Sequence, residues 1–223
     1  MATLRCYTSM AIYLDSAKLD EARQAKNFGW VHGVTTNPSL LAKAGVEPEV
    51  VLKGLAELEF HQVYYQLVSR DLEDMLVEAR KASQIVKEGL ILKIAPTDNG
   101  FRFVAKHGNE FPCCVTAVFD PVQALIAREA GARYVAVYVN RATKQMGDGL
   151  GLVEELVNVL AGSQTEILAA SLKSTKEAVD AFLTGAQHIT VPFDLLASLS
   201  THPLSTQIVE QFNAEGVGIR LKS

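Results

Sequence analysis

The chain has 223 residues, of which 48% are hydrophobic, so it can bury one substantial core and a single domain is expected. Its formal net charge of −4 argues against nucleic acid or an acidic membrane surface as the main partner. No apolar run reaches the roughly 18 residues of a membrane-spanning helix, and the segment Met1–Met10 is too polar for a secretory signal.

A short apolar run followed by a longer amphipathic stretch repeats along the chain, which indicates strands that alternate with helices. The first four strands are expected at 12–14, 33–35, 62–68 and 90–94, each followed by a helix at 16–26, 48–58, 71–86 and 101–106. The other four are expected at 113–118, 134–139, 166–170 and 188–191, followed by helices at 121–130, 152–160, 175–183 and 193–199. A last helix is expected over 204–213.

Local signals support several of these boundaries. Pro48 and Pro121 suit the first turn of a helix, and the segment Ser69–Asp71 supplies possible caps. Gly131 and Gly185 follow helices directly, where a left-handed residue is often needed.

Strands that are continuously apolar are typical of a parallel sheet covered by helices on both faces. Eight such units predict a single-domain α/β fold, the (β/α)8 TIM barrel, with an open doubly wound sheet as the alternative. That alternative commonly carries glycines after its first strand, where this chain has Asp15-Ser16-Ala17. We expect an N-terminal extension over residues 1–10 and a barrel with a C-terminal helix over residues 11–223.

Catalytic groups of such barrels lie at the carboxyl ends of the strands, and polar residues occupy those positions here. They are Asp15, Thr35, Thr36, Asn37, Gln66, Lys93, Thr116, Tyr138, Asn140, Arg141, Ser171, Lys173 and Asp194. Lys93 stands out because it lies inside an apolar strand, where burial favours the neutral amine that attacks a ketone. The alternative is a lysine at the strand end that extends its ammonium to solvent.

The other polar positions also have structural explanations. Asp15 could transfer protons, or it could cap a helix that begins at Ser16. Arg141, Ser171 and Lys173 offer two cations and a hydroxyl for a phosphate, or they are solvated loop residues.

Tyr138 could pack in the core, Gln66 could be a satisfied polar group and Asp194 a helix cap. The three cysteines form neither a disulfide framework nor a metal site, which indicates the reducing cytoplasm. Two of them, Cys113 and Cys114, are expected to be buried strand residues rather than reactive thiols.

Six segments, each at an expected strand end and in this order, resemble the transaldolase family. They are Tyr13-Leu14-Asp15-Ser16, Gly33-Val34-Thr35-Thr36-Asn37-Pro38-Ser39-Leu40, Leu92-Lys93-Ile94, Val115-Thr116-Ala117-Val118, Tyr134-Val135-Ala136-Val137-Tyr138-Val139-Asn140-Arg141 and Ala169-Ala170-Ser171-Leu172-Lys173. Classical transaldolases have glutamate and phenylalanine where this chain has Gln66 and Tyr138. These two residues and the short length resemble the fructose-6-phosphate aldolase branch and the related small transaldolases.

The resemblance implies a class I aldolase in which Lys93 forms a Schiff base with a dihydroxyacetone-type donor. Asp15 would handle the proton of a substrate hydroxyl, and Asn37 with Thr35 would bind the hydroxyls of the donor. The acceptor would be an aldehyde such as glyceraldehyde 3-phosphate. Two alternatives are a transaldolase of the pentose phosphate pathway and a non-catalytic barrel that binds a sugar phosphate. No cofactor is implied, because the lysine supplies the electron sink as an iminium ion.

The resemblance also gives roles to the remaining candidates. Gln66, Thr116 and Tyr138 would hold a water through which Tyr138 exchanges protons. The acceptor phosphate would be held by Arg141, Ser171 and Lys173. The resemblance further implies a ring-forming homo-oligomer, often a decamer, in which the last helix reaches a neighbour. The apolar face of that helix, with Ile208, Val209 and Phe212, could equally pack on its own barrel.

Three positions depart from the family pattern. Ala95 stands where a proline usually follows the lysine, and Val137 replaces a proline before the tyrosine. Lys173 stands where classical members often have arginine, so bidentate phosphate binding is lost at that point.

Overall fold

Eight parallel strands close into a barrel with neighbours in chain order, as a computed structural model of the protein shows for residues 10–219. The strands are β1 (Ala11–Asp15), β2 (Gly33–Thr35), β3 (Gln62–Gln66), β4 (Leu90–Ile94), β5 (Cys113–Val118), β6 (Tyr134–Tyr138), β7 (Glu166–Ala170) and β8 (His188–Val191). The predicted (β/α)8 barrel is confirmed. The predicted extension over residues 1–10 lies outside the described residues except for Met10.

Helices follow every strand and cover the barrel. They are α1 (Leu19–Asn27), α2 (Pro38–Ala44), α3 (Pro48–Ala56), α4 (Leu72–Ile85), α5 (Asp98–His107), α6 (Pro121–Glu129), α7 (Val139–Met146), α8 (Gly149–Val159), α9 (Thr175–Thr184), α10 (Phe193–Ser198) and α11 (Pro203–Glu215). The predicted boundary signals hold. Pro48 and Pro121 begin their helices, Asp71 caps α4, and Gly131 and Gly185 have φ values of 88° and 114°.

Side chains of each strand alternate between the barrel interior and the helix layer, as the period of two requires. In β5, Cys113 packs in the core beneath the helices, whereas Cys114 belongs to the interior cluster. That interior cluster consists of Ala11, Tyr13, Tyr64, Ile91, Cys114, Tyr134, Ala136 and Leu168. Two residues further along the same strands are Asp15, Gln66, Lys93, Thr116, Tyr138 and Ala170. These residues therefore share the interior face at the carboxyl end of the barrel.

The amino-terminal half of the barrel interior is filled by a hydrogen-bonded plug. Gln62 Oε1 accepts from the hydroxyls of Tyr13 at 2.6 Å and Tyr64 at 3.1 Å, and its Nε2 donates to Tyr134 Oη at 2.9 Å. Gly33 gives β2 the room to approach, since a Cβ there would lie 2.2 Å from the carbonyl oxygen of Gln62. The interior is thus a packed core, and the carboxyl end is where polar side chains converge.

The structure has helices beyond the one predicted for each unit. Asn37 caps α2 and Pro38 occupies its first turn, so a short helix forms before α3. After β6 the chain enters α7 at once, and Gly147 with φ 95° breaks it from α8. The single predicted helix over 152–160 is therefore only the second half of this connection.

The last helix, α11, contains no buried residue. The alternative that it packs against its own barrel is therefore wrong. Leu204, Ile208 and Phe212 lie four residues apart on one face of α11 and are 64%, 45% and 66% exposed. Separately, no helix within residues 10–219 is long and apolar enough to cross a membrane.

Candidate active site

Lys93 is buried in β4, with 5% of its surface exposed. Its Nζ donates to the carbonyl oxygen of Thr36 at 2.8 Å, and within residues 10–219 it forms no ion pair. Both the N–H and the hydroxyl of Thr36 donate to the carbonyl oxygen of Tyr64, which fixes the residue whose carbonyl oxygen holds the amine. The alternative of a lysine that extends to solvent is therefore wrong, and the amine is held in the barrel interior.

Cys114 lies beside Lys93 in the parallel register of β4 and β5. Burial raises the pKa of the Cys114 thiol to about 12, and the positive charge of Lys93 opposes that rise. Burial and the neighbouring thiol likewise raise the pKa of Cys113 to about 12. Both thiols are thus protonated near neutral pH, which leaves the Lys93 amine as the candidate nucleophile in this part of the barrel.

Asp15 ends β1 and is held by a chain of hydroxyls. Thr35 Oγ1 donates to Asp15 Oδ1 at 2.9 Å and lies 2.7 Å from Thr190 Oγ1. Since the one hydroxyl hydrogen of Thr35 goes to the carboxylate, Thr190 is the donor to Thr35. The helix-cap alternative for Asp15 is wrong, because α1 begins only at Leu19.

Thr190 was absent from the sequence-based candidates, although a signal for it exists. It lies two residues after His188 in β8, so the period of two places it on the interior face. Asp194, the candidate chosen after that strand, is exposed in the first turn of α10 and does not cap it.

Thr116 and Tyr138 meet at the ends of β5 and β6, where their hydroxyl oxygens lie 3.1 Å apart. The guanidinium carbon of Arg141 lies 5.0 Å from the centre of the Tyr138 ring, and Phe119 packs edge-on against the same ring at 6.0 Å. Ala117 has φ 57° at the point where the register of β5 shifts. The Tyr138 hydroxyl is therefore fixed from three directions at the mouth of the barrel.

Arg141, Ser171 and Lys173 lie on the adjacent connections that follow β6 and β7. The N–H of Asn140 donates to the carbonyl oxygen of Ser171 at 3.3 Å, which joins the two connections. Ser171 has φ 59°, a left-handed conformation that is strained for a residue with a side chain. Neither cation is paired with a carboxylate in the described part of the chain, so both charges can face an anion.

Two further candidates are less tightly connected. Asn37 Oδ1 accepts from the N–H of Leu40 at 3.0 Å as the cap of α2. Gln66 pairs in register with Lys93, but it makes no direct hydrogen bond to Thr116 or Tyr138 among residues 10–219. The group that was expected to hold a water therefore consists of one bonded pair and one separate amide.

The connection after Lys93 turns at once despite its missing proline. The N–H of Thr97 donates to the carbonyl oxygen of Ala95 at 2.8 Å, and the Thr97 hydroxyl caps α5. Val137 is fully buried on the helix side of β6.

No three His, Cys, Asp or Glu side chains between residues 10 and 219 are placed to hold a metal ion.

Comparison with known proteins agrees with the barrel fold. The chain matches the Transaldolase/Fructose-6-phosphate aldolase family over residues 12–220. Probable transaldolases of Geobacter sulfurreducens and Aquifex aeolicus are 35% and 36% identical over 206 residues, which cover 91% of this chain and 96% and 94% of those proteins. A solved structure of mandelate oxidase superposes with a TM-score of 0.60 at 17% identity, covering 95% of this chain and 78% of that one, a likeness of fold alone. By its match over residues 12–220 and by these identities, the chain belongs to the transaldolase/fructose-6-phosphate aldolase family and is an enzyme of the aldolase or transaldolase class.

Proposed function

We propose that the protein is a Schiff-base aldolase that joins or cleaves a dihydroxyacetone-type donor and an aldehyde such as glyceraldehyde 3-phosphate. The observation that carries this proposal is the buried amine of Lys93, which a neutral carbonyl oxygen holds at 2.8 Å. Its place at the carboxyl end of β4 lets this amine attack a ketone that enters the mouth of the barrel. The iminium ion then accepts the electron pair of the breaking carbon–carbon bond.

We assign the donor end of the substrate to the side of the barrel mouth formed by β1 and β2. The Asp15 carboxylate would exchange a proton with a substrate hydroxyl, and the Thr35 hydroxyl keeps the carboxylate in position. The Asn37 Oδ1 is taken by the backbone, so its Nδ2 is the group that would bind a donor hydroxyl.

We assign proton exchange at the imine to Tyr138, with Thr116 as the partner of its hydroxyl. Gln66 stands beside Lys93 but cannot accept a proton as a glutamate would, so it can only orient a water. Because Gln66 cannot serve as the base, proton exchange through Tyr138 is the route by which free ketone would be released. The acceptor phosphate would be bound by Arg141, Ser171 and Lys173, and the two cations among them have no carboxylate partner within residues 10–219.

A transaldolase that passes the donor unit between two sugar phosphates is the second candidate, and the similarity to probable transaldolases favours it. The two candidates differ in what happens without an acceptor. Fructose 6-phosphate incubated alone should give free dihydroxyacetone if the protein is an aldolase. Turnover that starts only after an aldehyde acceptor is added would favour the transaldolase instead.

Borohydride reduction tests the nucleophile itself. Dihydroxyacetone with borohydride should add a covalent mass to the peptide that contains Lys93. Lys93→Met should lose this addition and the activity, whereas Lys106→Met, which changes an exposed lysine of α5, should keep both. No mass gain at Lys93 in the unmodified protein would overturn the proposal and leave a non-catalytic sugar-phosphate-binding barrel as the better account.

We also propose a homo-oligomer, of which a decamer is one form. The support is α11, whose apolar residues Leu204, Ile208 and Phe212 are uncovered in the single chain. A second copy of the chain is the natural cover for such a face, since exposed apolar stripes mark interaction surfaces. Light scattering of the purified protein tests this directly.

We further propose that the enzyme works in the cytoplasm on sugars or sugar phosphates, without a nucleic acid or membrane partner. The net charge of −4 and the two unpaired thiols, Cys113 and Cys114, support this assignment. Fractionation of the native host cell would test it.

A further inference from the structure

Glu177 lies in the first turn of α9 and does not do what its local sequence predicts. Ser174 caps this helix by accepting from the N–H of Glu177 at 3.1 Å. In a capping box the glutamate would in return accept from the N–H of the cap residue. Here its two carboxylate oxygens bind elsewhere, so the sequence pattern Ser-x-x-Glu forms only half of the box.

The Glu177 carboxylate instead bridges two connections of the barrel mouth. Its Oε1 accepts from Asn140 Nδ2 at 2.7 Å, and its Oε2 accepts from the N–H of Lys173 at 2.7 Å. Asn140 directly precedes Arg141 at the start of α7, and Lys173 follows Ser171 after β7. One partly buried carboxylate thus joins the two connections that carry the candidate phosphate ligands.

The two hydrogen bonds to Glu177 also help to fix the strained backbone at Ser171. Ser171 is held at φ 59°, and a strained conformation persists only where its surroundings fix it. The bond from Asn140 N to Ser171 O is long, at 3.3 Å, whereas both bonds to Glu177 are short and charge-assisted. The carboxylate is therefore the stronger of the two links.

We infer that Glu177 is a positioning residue that holds Arg141, Ser171 and Lys173 together as one site for the phosphate of the acceptor aldehyde. This inference rests on the proposed function. Both oxygens of Glu177 accept from groups of the protein, Asn140 Nδ2 and the N–H of Lys173, so we assign it no direct part in binding substrate. Its removal should weaken the binding of a phosphorylated acceptor and leave the chemistry at Lys93 intact.

Glu177→Gln is the sharpest test, because an amide cannot accept on both sides. Whichever way it turns, its NH2 group faces one of the two donors. We expect KM for glyceraldehyde 3-phosphate to rise about 10-fold, as for the loss of one charge-assisted hydrogen bond, with kcat nearly unchanged. KM for unphosphorylated glyceraldehyde and borohydride trapping of dihydroxyacetone should not change.

Asp180→Asn is the matched control. Asp180 is a carboxylate of the same helix, one turn further on, and its partner is the exposed Lys176 at 2.7 Å. This variant should behave as the unmodified enzyme. The double variant Asn140→Asp with Glu177→Gln exchanges donor and acceptor. It should restore the hydrogen bond between residues 140 and 177 and return KM for glyceraldehyde 3-phosphate most of the way to that of the unmodified enzyme.

Inorganic phosphate gives a readout that does not depend on the Schiff base. Calorimetry should show about 10-fold weaker phosphate binding in Glu177→Gln than in Asp180→Asn or the unmodified protein. Equal phosphate affinity in all three, or equal rises of KM for both aldehydes, would overturn the inference. Absence of borohydride trapping at Lys93 would instead overturn the proposed function, so the two failures are distinguishable.

Discussion

Valine in place of Thr35 should damage the enzyme more than valine in place of Thr190, although the two hydroxyls touch each other. Thr35 donates to Asp15 Oδ1 at 2.9 Å, while Thr190 lies 2.7 Å behind it in the same chain. Both threonines are almost fully buried, so water cannot replace a lost hydroxyl. Valine keeps the branched shape, so each variant removes little besides its hydrogen bonds.

The size of each effect follows from the charge of the partner. Thr35→Val removes a bond to an ionised carboxylate, worth about 1.5–3 kcal/mol, and leaves the Thr190 hydroxyl without its acceptor. If that loss falls on the transition state, kcat/KM for ketose cleavage drops about 10- to 150-fold. Thr190→Val removes a bond between neutral groups, worth about 0.5–1.5 kcal/mol, so the drop should stay below about 10-fold.

The assay measures release of glyceraldehyde 3-phosphate from fructose 6-phosphate by both variants. Borohydride trapping at Lys93 shows in parallel that the site still forms, and thermal unfolding reports stability, with about 2–4 °C lost per kcal/mol for a chain of this size. Equal losses of kcat/KM at Thr35 and Thr190, or full activity in Thr35→Val, would refute the hydroxyl chain as the means by which Asp15 is positioned.

Three further outcomes are expected. Tyr138→Phe removes the hydroxyl 3.1 Å from Thr116 Oγ1, so ketose cleavage should fall about 100-fold or more while borohydride trapping persists; unchanged cleavage would contradict its role. Cys113 and Cys114, whose pKa burial raises to about 12, should resist iodoacetamide at about pH 8 until the protein is unfolded, because thiolate forms only at higher pH. Peptide mass mapping checks this, and labelling of either thiol in the folded protein would count against it. A chain that ends before Pro203 lacks α11 and should scatter light as a smaller particle than the full chain, and an equal mass would argue against α11 as the oligomer contact.

The barrel and the candidate nucleophile Lys93 could be predicted because both leave strong marks in the sequence. Continuously apolar strands occur where both faces are buried, and eight of them in alternation with helices favour closure. Lys93 is visible for the same reason, since a cation inside such a strand is a departure from the apolar pattern. Asp15 and Tyr138 were found from their positions at strand ends.

Thr190 and Glu177 show where prediction from the sequence stopped. The two-residue period of β8 places Thr190 on the interior face, but the sequence does not show that its hydroxyl meets Thr35. Glu177 carries a capping-box pattern, but its carboxylate accepts from Asn140, which is distant along the chain, and from the N–H of Lys173, which lies outside the box. These two hydrogen bonds replace the one that the local pattern predicts. Similarly, the apolar face of α11 is readable from its period, but not what covers it.

The carbonyl anchor of Lys93 has a consequence for the return of the enzyme to its resting state. In the proposed reaction the nitrogen keeps one N–H as an iminium ion and none as a neutral imine, so the Thr36 carbonyl oxygen loses its donor only in the neutral form. A carboxylate left alone in such a buried place would cost about 3–5 kcal/mol, whereas an unpaired neutral acceptor costs about 1–3 kcal/mol. The Thr36 carbonyl oxygen also carries no charge and does not titrate. Loss of the donor at this oxygen therefore costs less than it would at a carboxylate, which suits a lysine that must bind and release a ketone in every turnover.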